Sequence, residues 1–208
     1  MVAIGGIPVF DALVTDEDTG MLKISLVDDP AVMTDFLAFD RTKVMQMYSV
    51  ADEEKRLVYG VVMRADFPIL RRSPGLGEYY IVYKAGTIRR MAEKYLADGR
   101  QNDVNVMHSE DVKGVRMVQW LIKDTARGVN PEGFADIADG SLFAEFHILN
   151  DEVWAAVKDG TYKGFSLEGV FEFMPEQDKE AARDMAKEVV EEFANRVKNE
   201  ILSIINKL

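Results

Sequence analysis

The chain has 208 residues, no cysteine, two histidines and a net charge of −11. That length suits one domain plus at most an appendage, and the acidic balance disfavours nucleic acid and anionic membranes as partners. The missing cysteines exclude a disulfide framework, a thiolate nucleophile and a zinc finger. No stretch approaches the ~20 apolar residues of a membrane span, and the first ten residues lack a basic leader. A soluble intracellular protein is expected.

Residues 16–20 read as an acidic turn. Residues 21–27 read as a strand stopped at Pro30, because proline blocks the ladder and forces its neighbour to be extended. Residues 31–55 read as an irregular or edge segment anchored by Phe36, Leu37 and Phe39. A strand at 56–63, rich in β-branched and aromatic residues, is followed by a turn-rich stretch at 68–77 and a second strand at 78–83. The two strands are expected to form a hairpin. Thr87 reads as the N-cap of a helix to Asp98, with Ile88, Met91, Ala92 and Tyr95 as its buried stripe and Gly99 as its C-terminal glycine.

Further strands are expected at 104–108, ending on His108, and at 114–122. The seventeen-residue stretch 124–140 is long for a connection in a compact domain, which points to a functional or mobile loop. Residues 142–149 alternate, with Glu145 and His147 on the polar face. A short helix at 152–158 follows, capped by Asn150 or Asp151. Residues 164–173 alternate again. Phe165, Leu167, Phe171 and Phe173 share one face, and Ser166, Glu168 and Glu172 the other, with Val170 the exception. Pro175 closes this β-rich domain. From 176 to 208 the apolar residues recur every three or four positions, which predicts one amphipathic helix roughly 50 Å long. Its length exceeds the width of a small domain, so part of it is expected to pack against another chain.

His108 and Ser166 are the candidate base and nucleophile. A serine hydroxyl attacks a carbonyl only when a base takes its proton, and neutral imidazole suits that near pH 7. The spacing Gly164-x-Ser166-x-x-Gly169 differs from a nucleophile elbow, because the strand pattern continues past the serine. Gly75-Leu76-Gly77 precedes a strand, so it is a turn and not a phosphate cradle. Two histidines without metal-ligand spacing support no zinc site, so no metal and no cofactor are expected.

Short blocks at 24–27, 30–32, 77–82, 104–108, 150–154 and 164–169 follow one another in an order that resembles XkdF-like phage proteins. That resemblance covers about residues 21–174. It implies a serine protease of tailed phages, similar to prohead proteases and more distantly to herpesvirus assemblin. The implied fold is an α+β one with a β-barrel-like, mostly antiparallel core and flanking helices over 1–174, leaving 175–208 as a helix for dimerisation or scaffold docking. The implied substrates are scaffold and major capsid proteins, cut inside the immature head in the host cytoplasm. The family's histidine and serine fall on His108 and Ser166. The third catalytic member stays open among Glu168, taken first, His147 and Glu145. Backbone amides near Gly164 and Gly169 are candidate oxyanion donors, and Arg71 and Arg72 a candidate clamp for a substrate carboxylate. Two rival readings remain, a catalytically silent docking module of the phage head and a small-molecule esterase.

Overall fold

A computed structural model describes residues 2–14, 19–28, 37–39, 55–73 and 75–175. The expected helix at 176–208 and most of the segment 31–54 lie outside the described residues. The described strands fall into three sheets.

The first sheet contains β1 (Ala3–Ile4), β2 (Ile7–Leu13), β6 (Ile69–Ser73), β7 (Gly77–Val82) and β13 (Glu172–Pro175), with β7 running parallel to β2. The second has the order β10 (Val115–Ile122), β11 (Leu142–Ile148), β5 (Leu57–Met63), β4 (Leu37–Phe39). The third has the order β12 (Gly164–Val170), β3 (Gly20–Val27), β8 (Val104–Val106), β9 (Glu110–Asp111). Two α-helices, α1 (Ala85–Ala97) and α2 (Asp151–Lys158), and a 3-10 turn at Thr125–Arg127 complete the described fold.

The fold is therefore α+β and mostly antiparallel, but among the described residues it is not the closed barrel that was expected. The chain changes sheets at Phe171: β12 pairs with β3, whereas β13 pairs with β2. Strand β12 also packs across β5 without a ladder between them, so side chains and not hydrogen bonds close the core there. Phe146 of β11 meets Phe165 of β12 across this gap, ring centroids 5.2 Å apart.

Local chemistry explains most elements. Asn150 caps α2, its Oδ1 accepting from the amides of Glu152 and Val153. Helix α1 begins two residues before Thr87, after Lys84, and no side chain caps it. Thr87 instead sits buried in the first turn. The expected hairpin between 56–63 and 78–83 does not form. Strand β7 pairs with β6, while β5 lies between β11 and β4. Strand β6 falls in the stretch read as a turn, where Arg71 and Arg72 between two prolines hide a short, half-exposed alternation. The β1–β2 hairpin was also missed. Its signal was Gly5-Gly6, whose φ of 57° and 87° suit the tight turn that joins two strands.

The loop 124–140 is anchored along its length. Lys123 is buried, and its Nζ donates to the carbonyls of Phe134 (2.9 Å), Ala135 (3.1 Å) and Ile137 (2.6 Å). Phe134 packs on Phe143 and Tyr59. The loop thus roofs part of the second sheet.

Candidate active site

The third sheet has one apolar and one polar face. Ile24, Leu26, Val104, Val106 and Phe165 fill its core side, all buried. Each such side chain contributes roughly 1.5–3 kcal/mol when fully buried, so a one-residue slip that reversed the faces would be prohibitive. This fixes what stands on the opposite face. Ser166 of β12 lies directly across from Ser25 of β3, and Ser25 across from Asn105 of β8. Glu168 and Lys23 form the next row. Lys23 makes an ion pair with Asp111 of β9.

His108 reaches this face from the turn after β8. The Ser109 amide donates to the Val106 carbonyl at 3.0 Å. The two residues between, Met107 and His108, have φ of 51° and 54°. Left-handed conformations at two adjacent residues with bulky side chains cost of order 1–3 kcal/mol each and tend to persist where function requires them. Here the turn carries the imidazole back over the strands.

His108 Nδ1 stands 2.9 Å from Glu168 Oε1 and 2.9 Å from Ser25 Oγ. Asn105 Nδ2 donates to the same Glu168 Oε1 at 2.5 Å. Ser25 Oγ donates a hydrogen bond to Asn105 Oδ1. The histidine and glutamate side chains form a half-exposed roof, 40% and 34% accessible. Ser25, Asn105 and Ser166 form a buried polar floor, with Ser25 at 0% and Ser166 at 6%. Cross-strand partners have Cβ atoms ~5 Å apart, so Ser166 is the immediate neighbour of the serine that touches His108. Among the described residues no hydrogen bond joins Ser166 to His108.

Burial alone would raise the Glu168 carboxyl. Hydrogen bonds from Asn105 and His108, the His108 charge and the Ser25 contact outweigh it and hold the group below its ordinary value. A carboxylate depressed in the fold stabilises the protein above its unfolded value of 4.5, and that contribution is lost as pH falls through the lower folded value. Glu168→Gln is therefore expected to make the urea midpoint fall less between neutral pH and pH values below 4.5. An acid limb identical to that of the parent protein would contradict this linkage.

The other candidates lie elsewhere. His147 and Glu145 are on β11, in the second sheet, where His147 faces Arg116 and Leu57. Glu145 instead lines a cavity of about 660 Å³ with Tyr59, Gln119, Leu121 and Pro131 beneath the anchored loop. Burial pushes its carboxyl up against the opposing effect of Lys55. Burial, with Glu145 nearby, moves the Tyr59 hydroxyl to about 12. Arg71 and Arg72 are on β6, in the first sheet, and Arg72 pairs with Glu78. Gly169 has a steric role. A β-carbon there would sit 2.4 Å from the Gly20 carbonyl oxygen and 2.3 Å from the Phe171 ring, where the register shifts just after Glu168. No cluster of three or more histidine or carboxylate groups suited to a metal occurs among the described residues.

Sequence reasoning did not single out Ser25 and Asn105. Their signal was present: both are polar residues flanked by apolar ones within buried strands, and a buried polar group needs a partner. What it lacked was a partner visible in the sequence.

These elements define a class, an α+β domain with a histidine–glutamate pair and two serines on one sheet face. The chain belongs to the family described as "Putative phage serine protease XkdF", whose model matches residues 44–175. It is 29% identical over 168 residues to the "Phage-like element PBSX protein XkdF" of Bacillus subtilis (strain 168), covering 76% of this chain. The chain spans 55% of that relative's length. No solved structure matches it.

Proposed function

We propose that this chain is a serine endopeptidase of phage head maturation, with Ser166 as nucleophile, His108 as general base and then acid, and Glu168 as the group that holds the imidazole. The observation that carries this reading is the 2.9 Å contact between His108 Nδ1 and Glu168 Oε1 beside a paired row of serines. With Nδ1–H directed at the carboxylate, Nε2 is left to take the Ser166 proton as Oγ attacks the peptide carbonyl. Collapse of the tetrahedral intermediate breaks the C–N bond, and Nε2 returns the proton to the leaving amine. Water, deprotonated by the same nitrogen, then hydrolyses the acyl-enzyme. Ser166 keeps a small exposed surface and Ser25 none, which favours Ser166 as the residue a substrate reaches. Among the described residues β12 ends its sheet, so a peptide can add beside it by main-chain pairing. Scaffold and capsid-protein peptides are the proposed substrates, inside the phage particle in the host cytoplasm, with residues 175–208 as the proposed self-association or docking segment.

A fluorophosphonate probe tests the assignment. Covalent labelling of the full chain is expected, and its loss in Ser166→Ala. Labelling that survives in that variant would move the nucleophile elsewhere, with Ser25 the next residue to replace. A second reading, a docking module that keeps the fold without hydrolysis, is favoured by one observation: His108 bonds Ser25 and not Ser166. Absence of labelling in the full chain would favour it.

A further inference from the structure

We propose that Asn105 and Ser25 are positioning residues that fix the tautomer of His108, making Nδ1 the protonated ring nitrogen and Nε2 the basic one. The argument is a count of hydrogens. Asn105 Nδ2 stands 2.5 Å from Glu168 Oε1, and Asn105 Oδ1 lies against Ser25 Oγ. Turning the amide over would press its oxygen onto the carboxylate, two acceptors at contact distance, so the orientation follows from the network. Asn105 Oδ1 can only accept, and the single Ser25 hydroxyl hydrogen is therefore spent on it.

Two consequences follow. The 3.3 Å contact from Ser25 Oγ to Glu168 Oε1 is the longer of the two that share this hydrogen, and neither leaves it for His108. Toward His108, Ser25 offers only a lone pair. The imidazole Nδ1 thus faces two acceptors, Ser25 Oγ and Glu168 Oε1, each at 2.9 Å. A deprotonated Nδ1 would set three lone-pair bearers against one another in a partly buried site, so Nδ1 carries the proton. Free histidine side chains prefer the opposite tautomer, with the proton on Nε2. The buried pair of Ser25 and Asn105 therefore does more than fill space: it anchors the carboxylate and supplies a second acceptor. The use of Nε2 as a catalytic base rests on the function proposed above; the tautomer does not.

Nitrogen-15 NMR of histidine-labelled protein tests this directly. The chain holds two histidines, so a His147→Gln variant assigns the signals. At a pH where His108 is neutral, the full chain is expected to show Nδ1–H almost exclusively. Asn105→Asp keeps size and the acceptor facing Ser25 but puts an acceptor against Glu168. It is expected to turn the His108 signals into a mixture of tautomers, with kcat about ten-fold lower and KM little changed. Ser25→Ala is expected to act in the same direction, and if it does not fold, the near-isosteric Asn105→Asp carries the test. Predominant Nε2–H in the full chain, or spectra of a folded Asn105→Asp unchanged from it, would overturn the proposal. A tautomer shift in protein that never labels with fluorophosphonate would leave the network standing and remove only its catalytic use.

Discussion

Replacing His108 with alanine is expected to lower the rate of fluorophosphonate acylation by about 10²- to 10⁴-fold, the usual contribution of a positioned general base. The physical reason is that Ser166 sits on a strand whose polar face carries no other group able to accept its proton near pH 7. Glu168 is already engaged by Asn105 and held below its ordinary value, which makes it a weak base. The ring is 40% accessible and stands on a surface turn, so its loss removes a half-exposed pair worth at most ~1 kcal/mol. A retained melting temperature together with a collapsed labelling rate is the expected signature. His147→Ala provides the contrast. That residue lies across from Arg116 and Leu57 on another sheet, and its loss is expected to leave the rate within two-fold of the parent's, a bound set at roughly 0.4 kcal/mol. If both variants label at the parental rate, histidine does not activate the serine.

Lys123→Met is expected to give the largest loss of stability. The Lys123 side chain is 3% exposed and satisfies three loop carbonyls at once. Methionine keeps much of the volume but donates nothing, and each buried acceptor left without a partner costs ~1–3 kcal/mol. Allowing for partial rescue by water, a net loss of about 3 kcal/mol is expected. At ~2–4 °C per kcal/mol for a chain of this size, that lowers the melting temperature by roughly 10 °C. The loop between Asp124 and Gly140 is also expected to become a site of limited proteolysis, because the same contacts hold Phe134 against Tyr59 and Phe143. A fall of under about 2 °C would mean that the carbonyls find other donors cheaply, and the loop is held by its aromatic packing instead.

The two predictions bear on regions that were unequally legible in the amino-acid order. The strand ending near His108 and the alternation around Ser166 were plain, since period-two patterning needs no knowledge of partners. So were the short helix after β11 and the left-handed Gly99 after α1, at φ 71°, whereas the structure chose Asn150 over Asp151 as the cap. The anchoring of the 124–140 loop was not, because the donor that ties it down, Lys123, lies at its own border and reads as the first polar residue after a strand. The β6 strand was hidden for a related reason: pairing with β7, not local propensity, makes it extended.

Sequence alone thus narrowed the candidates for the proposed chemistry. With no cysteine and two histidines, the choice of base was narrow, and residue type with alternation placed Ser166 and Glu168 together on one strand face. Tertiary structure decided what meets what. Strand order β12-β3-β8 sets Ser25 and Asn105 beside Ser166, and two left-handed residues turn His108 onto Glu168. Those contacts join positions 60 to 143 residues apart, and the crossovers that bring them together depend on how whole sheets pack. Local periodicity specifies a strand's faces, but only packing chooses its neighbours.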